Sequence, residues 1–88
     1  MAKEGKAPVG RLYWRCRRGT KELDRVLGDY LQQEYTRAGV ELQNAFAGLL
    51  EQQDPDIYDW LMGTKLAETE FRAIIEALQI KYIRQEKQ

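Results

Sequence analysis

Apolar residues recur along this chain at intervals of three and four, the spacing that places side chains on one face of an α-helix. Val9, Leu12, Tyr13 and Cys16 follow that rhythm and predict a first helix over about Val9–Arg18. Gly19 ends it, and Thr20 stands where a hydroxyl can cap the next. A second helix, about Lys21–Arg37, carries Leu23, Val26, Leu27, Tyr30, Leu31 and Glu34 in one stripe, and Gly39 breaks it. A third, about Val40–Gln53, aligns Leu42, Ala45, Phe46, Leu49 and Leu50. Asp54-Pro55 stops that helix and opens a short fourth, about Pro55–Met62, with Ile57, Tyr58 and Leu61 as core candidates and Gly63 as its closing turn. The last helix, roughly Ala67–Arg84, turns Phe71, Ile74, Ile75, Leu78 and Tyr82 inward; Ile80 and Ile83 fall on its flank, as extra core or as a small exposed patch. No stretch alternates with period two for long enough to suggest a sheet. The expected fold is all-α, a compact antiparallel five-helix bundle joined by very short turns.

With 88 residues the chain makes one domain, read as a flexible N-terminal tail over residues 1–8 and a single helical domain over 9–88. A chain of this length buries only about 60% of its unfolded surface, so deep enclosed pockets are not expected and a convex working surface is. The apolar fraction of 43% and the charged fraction of 32% are those of a globular protein. Apolar runs span only a few residues, so neither membrane insertion nor a secretory signal is expected, and the single cysteine, Cys16, fits a reducing compartment; the expected location is the cytoplasm.

Formal net charge is zero, yet it is unevenly laid out. Residues 1–28 hold eight Lys/Arg against three Asp/Glu, residues 29–59 one against seven, and residues 60–88 five against four, giving +5, −6 and +1. Such a layout suits an oriented encounter with a partner of mixed charge better than a polyanion, because the acidic segment repels phosphates. Part of it is also explained if the basic and acidic segments face each other across the fold.

The chain has no histidine and no serine, which removes a Ser-His-Asp triad, a Cys-His pair and His-rich metal sites together. Its threonines lack an activating histidine, and no GxGxxG, P-loop or CxxC occurs. Asp54, Asp56 and Asp59 could be read as an acidic site. They are better explained as a helix start, with Asp54 as N-cap, Pro55 at the first helical position and Asp56 in the first turn, where the helix dipole favours negative charge. No catalytic or metal-binding residue is assigned, and the protein is read as a non-enzyme that binds another protein.

Opposite the core stripe of the first helix lies a second one, Arg11, Trp14, Arg15 and Arg18. Tryptophan and arginine are the types most enriched in interface hot spots, since a rigid ring and a planar donor bury much contact for little lost entropy. The plainer alternative is an ordinary solvated face with Trp14 tucked against a neighbour. Arg18-Gly19-Thr20-Lys21-Glu22 follows directly, a corner that sets an arginine and a carboxylate side by side with no bulky side chain at Gly19.

The run Leu12-Tyr13-Trp14-Arg15-Cys16-Arg17-Arg18-Gly19-Thr20-Lys21-Glu22-Leu23-Asp24, followed by Glu34-Tyr35 and by Asp54-Pro55-Asp56-Ile57-Tyr58-Asp59-Trp60-Leu61-Met62, resembles the succinate dehydrogenase flavinylation factors, whose signature is Arg-Gly-x-x-Glu. The likeness covers roughly residues 9–80. It implies a five-helix bundle, agreeing with the periodicity, and an assembly role. By that resemblance the partner is the flavoprotein subunit of succinate dehydrogenase, or of fumarate reductase, on which covalent attachment of FAD to a histidine is promoted. The FAD then belongs to the partner and no cofactor is held stably by this chain. Arg18, Gly19 and Glu22 would form the contact surface with Arg11, Trp14 and Arg17 beside them; Asp54, Asp56 and Trp60 match the second motif, where a structural role is favoured for the aspartates. Two rival readings are an antitoxin-like or general regulatory binding module, and nucleic-acid binding through Arg11, Arg15, Arg17 and Arg18, which the acidic segment and a pI near 6.3 oppose.

Overall fold

A computed structural model describes residues 9–83, with the backbone alone at Val9. The expected tail over residues 1–8 and the end of the last helix lie outside the described residues. Five α-helices appear among them: α1 (Val9–Arg15), α2 (Lys21–Gln33), α3 (Val40–Leu49), α4 (Asp54–Met62) and α5 (Thr69–Leu78). A 3₁₀ turn at Tyr35–Arg37 follows α2, and a π turn at Gln79–Ile83 extends α5. The all-α bundle predicted from periodicity is present, and every helix differs from its predicted bounds at one end or both.

The starts are set by caps. Thr20 takes an extended backbone, and its hydroxyl accepts the Leu23 N–H at 3.2 Å, so the predicted cap of α2 is made. The predicted cap of α4 is not: the N-cap position falls on Gln53 without a side-chain bond, and Asp54 is the first residue of the helix. Its carboxylate is turned to another task, described below. Gly63 closes α4 with φ +85, a left-handed conformation that glycine adopts without steric cost, and its N–H donates to the Asp59 carbonyl at 2.9 Å. The Asp59 carbonyl also accepts the Thr64 N–H at 3.0 Å, and Gln79 Nε2 donates to the Trp60 and Leu61 carbonyls at 3.1 and 3.2 Å. The Asp59, Trp60 and Leu61 carbonyls at the end of α4 are thereby satisfied.

The second and third helices end before their predicted bounds. The stripe of α2 was expected to run to Arg37, but the α-helix stops at Gln33 and tightens into the 3₁₀ turn. Gln43, buried in α3, explains the geometry: its Nε2 donates to the Tyr35 carbonyl at 2.7 Å and holds the turn against the core. Glu34 is not a core position; it is half-buried and accepts from Lys81 Nζ at 2.9 Å, tying α2 to the π turn. That hydrogen bond comes first among the causes that hold the Glu34 carboxyl below its ordinary pKa, with the Lys81 and Arg37 charges adding to it against a desolvation cost. The third helix, expected to reach Gln53, ends at Leu49.

The core is formed by Leu12 and Cys16 from α1 and its exit, Leu23, Val26, Leu27, Tyr30 and Leu31 from α2, Phe46 and Leu49 from α3, Ile57, Trp60 and Leu61 from α4, and Phe71, Ile74, Ile75 and Leu78 from α5. Phe46 is fully enclosed and lies 4.9 Å from the Tyr30 ring and 5.7 Å from the Tyr35 ring. Trp60 stacks on Phe71 at 5.6 Å. Close approach of α3 to α5 occurs at Gly48, where a Cβ would stand 3.4 Å from Phe71 Cε1. Two expected core residues are corrected: Tyr13 and Tyr58 are 39% and 42% exposed, because burying Leu12 and Cys16, or Ile57, Trp60 and Leu61, rotates them outward. Ile80 is also exposed, which resolves the flank of the last helix in favour of a surface position, and Ile83 is half-buried.

Candidate functional site

Arg18 organises the surface that the sequence singles out, though it does not lie on it. The α-helix stops at Arg15, three residues short of the predicted end, and the chain turns so that the Arg18 guanidinium enters the junction of α1 with the α3–α4 loop. Its Nε donates to Asp54 Oδ1 at 2.8 Å; Nη1 donates to the Arg15 and Leu50 carbonyls at 2.7 and 2.8 Å, and Nη2 to the Gln52 carbonyl at 2.6 Å. Only 12% of the side chain remains exposed. The expectation that Arg18 shares an exposed face with Arg11, Trp14 and Arg15 is therefore corrected. A planar group with five donors reaches more acceptors inside this loop than it could on a solvated helix face.

Asp54 completes the junction. Its Oδ1 takes Arg18 Nε–H, and its Oδ2 takes the Gly19 N–H at 3.2 Å. Burial acts to raise the Asp54 pKa, but hydrogen bonds from Arg18 and Gly19 with the Arg18 charge outweigh it and hold the carboxyl below its ordinary value of 3.8. One turn into α2, Asp24 accepts the Arg18 backbone N–H through Oδ1. The corner between α1 and α2 is thus clamped by two aspartates and one arginine, and the basic and acidic segments do face each other here. A second bridge between them, Arg15 to Glu51 at 3.4 Å, is exposed on both sides and contributes at most about 1 kcal/mol.

Gly19 is exposed in that corner and follows α1 without a left-handed turn; among the described glycines only Gly63 has a positive φ. A Cβ at Gly19 would meet Asp54 Oδ2 at 3.8 Å, an ordinary contact, so the chain's own packing makes no demand for glycine. Glu22, in the first turn of α2, is exposed and its side chain has no hydrogen-bond or ion-pair partner among the described residues.

On the outer face of α1 the ridge is present. Trp14 is 70% exposed, with its ring edge-on to Tyr13 at 5.6 Å. Arg11 and Arg17 are exposed beside it, with no side-chain partner among the described residues. Arg11, Trp14, Arg17, Gly19 and Glu22 are all exposed, on α1, its exit and the first turn of α2, whereas Arg18, between them in sequence, is largely buried. Tyr13 was missed as a surface residue, and the signal that would have found it is the shortness of α1, which needs only Leu12 and Cys16 as anchors.

Members of the second motif are built into the scaffold. Trp60 is 6% exposed and stacked in the core, Asp54 anchors Arg18, and Asp56 pairs with Lys65 at 3.3 Å on the surface. Asp59 Oδ1 accepts the Thr64 hydroxyl at 3.1 Å. Cys16 is buried, its thiol donating to the Leu27 carbonyl at 3.6 Å; burial, partly opposed by the Arg18 charge, pushes it up to about 11 and leaves it a poor nucleophile. Among the described residues no His/Cys/Asp/Glu group is placed to hold a metal ion, and no helix is long and apolar enough to cross a membrane.

Comparison with known proteins converges on one family. Residues 10–81 match the family described as "Flavinator of succinate dehydrogenase". Over 69 residues, 78% of this chain and 87% of the relative, it is 41% identical to the "FAD assembly factor SdhE" of Legionella pneumophila (strain Lens). It is 50% identical over 54 residues, 61% of this chain and 65% of the relative, to the protein of that name from Methylococcus capsulatus. Against the one from Coxiella burnetii the identity is 37% over 70 residues, 78% of this chain and 85% of the relative. With the Arg-Gly-x-x-Glu corner clamped by Asp54 and the match running from α1 into the π turn, this chain belongs to the succinate dehydrogenase flavinator family.

Proposed function

We propose that this protein docks, through the Arg11–Trp14–Arg17 ridge and the Gly19–Glu22 corner, onto the flavoprotein subunit of succinate dehydrogenase or fumarate reductase and promotes covalent attachment of that subunit's FAD. The observation that carries the docking surface is Trp14: a tryptophan 70% exposed costs solubility and gains nothing for the bundle. Arg11, Arg17 and Glu22 are exposed as well and are left without side-chain partners among the described residues. Covering such a ring with a partner is worth about 2 kcal/mol or more. The glycine at position 19 fits the same surface, since a partner's backbone can approach it closely while the fold itself would accept a Cβ there.

On this reading the chain supplies no reacting group. It holds the flavoprotein, with FAD bound noncovalently, in the conformation where the acceptor histidine faces the flavin, and positioning alone accelerates a reaction by several orders of magnitude. The cofactor remains with the partner. The test is covalent flavin on the partner, read as in-gel fluorescence after coexpression. Trp14→Ala, Glu22→Ala and Gly19→Arg are expected to lower it while the purified variants keep the wild-type helical spectrum. Full flavinylation with all three variants would refute the proposal, and capture of an unrelated small protein instead of a flavoprotein would favour a general binding module.

A further inference from the structure

Beside the Gly19 corner a groove of about 440 Å³ opens between the starts of α2 and α4. Leu23, Pro55 and Tyr58 give it an apolar floor, with Thr20, Glu22, Asp54 and Asp59 along its walls. No Lys or Arg lines it. Of the three carboxylates, Asp54 is neutralised by Arg18, whereas Glu22 and Asp59 have no cationic partner among the described residues. The Tyr58 ring is 42% exposed and lines the groove together with Pro55. Exposed cations thus stand on α1 and its exit, at Arg11 and Arg17, while the groove itself carries the carboxylates of Glu22 and Asp59.

We infer that this groove receives one basic side chain, an arginine or lysine, projecting from the flavoprotein partner. The chemistry is that of the groove: a long aliphatic stem lies along Leu23, Pro55 and Tyr58 while its cationic head meets Glu22 and Asp59 at the rim. A purely apolar insert would desolvate two carboxylates without compensation, and an acidic one would be repelled by them. This inference rests on the docking proposal, and it adds an acid-walled socket adjoining the basic ridge, which fixes the orientation of the complex.

The experiment is a binding titration of purified protein against the noncovalently FAD-loaded flavoprotein subunit at low and at high salt, using Tyr58→Ala, Asp59→Asn and Asp59→Lys, with Trp14→Ala as reference. Tyr58 and Asp59 are surface groups, and the asparagine keeps the acceptor for the Thr64 hydroxyl. Expected losses are about 5-fold for Tyr58→Ala and for Asp59→Asn and more for Asp59→Lys, with the Asp59 effects shrinking at high salt. A photo-crosslinker replacing Tyr58 is expected to capture a flavoprotein peptide containing Arg or Lys. If Trp14→Ala weakens binding and neither Asp59 variant does, the socket is wrong and the docking surface stands; losses from Tyr58→Ala alone, independent of salt, mean an apolar insert and overturn the inference, as does a crosslink to a second copy of this chain. If Trp14→Ala binds like the wild type, the docking proposal itself fails.

Discussion

Arg18 and Asp54, thirty-six positions apart, meet through an Nε–Oδ1 hydrogen bond of 2.8 Å that joins the exit of α1 to the start of α4. The same arginine closes the carbonyls of Arg15, Leu50 and Gln52, and the same aspartate holds the Gly19 N–H. The corner is positioned by this half-buried pair.

Breaking the pair should unsettle the corner more than removing an exposed charge. Asp54→Ala leaves a nearly enclosed guanidinium without its counter-charge and is expected to cost about 2–4 kcal/mol in urea unfolding. Arg18→Lys cannot serve four acceptors from one ammonium and should lose about 2 kcal/mol despite conserving charge. By contrast, Arg15→Ala, which removes only the exposed Glu51 bridge, should stay within about 1 kcal/mol of the wild type.

Asp54 also sets the acid limit. Its carboxyl is held below 3.8 in the folded chain, so the unfolded chain takes up the proton first, and the stabilisation is full above the ordinary value and lost as pH falls through the folded one. Glu34, held below its ordinary 4.5 by Lys81, acts with the same sign. Urea midpoints should be flat near neutrality and fall progressively below about pH 4.5, and Asp54→Asn should be less stable at pH 7 and show a shallower acid slope. An unaltered slope would deny Asp54 this role.

Cys16 gives the opposite sign. Its folded thiol titrates at about 11 against an ordinary 9.0, so the unfolded state ionises first and the stability contribution is lost as pH rises through that window. In the native protein Cys16 should react with a thiol reagent at pH 8 orders of magnitude more slowly than in urea, following opening of the α1–α2 contact. Immediate modification of the native protein would show that the thiol is not enclosed.

The two tryptophans should separate fold from docking. Trp60→Ala empties a stacked core position and is expected to cost about 3–5 kcal/mol, enough to unfold a small domain under mild conditions. Trp14→Ala should leave the thermal midpoint within a few degrees and weaken capture of the flavoprotein by about 30-fold, since its ring is exposed in the free protein. Equal effects on stability would contradict the structure.

Helical class, five helices, the Thr20 cap and the Gly63 stop were legible in the sequence because each depends on neighbours within one or two turns: the three-and-four spacing of apolar residues, a hydroxyl before an apolar stripe, a glycine after one. Family membership was legible for the same reason, since the Arg-Gly-x-x-Glu run and the Asp-Pro-Asp run are local strings. What tertiary structure decided was which members of those strings face solvent. Spacing along α1 placed Arg18 on the ridge and spacing around Asp54 made it a cap, yet the two left those places for each other, because a buried guanidinium and a carboxylate from distant segments satisfy more hydrogen bonds together than either does locally. Likewise Tyr58, expected in the core, faces solvent, while Trp60 is buried against Phe71 of α5, a ring eleven residues away whose position depends on how α4 and α5 pack.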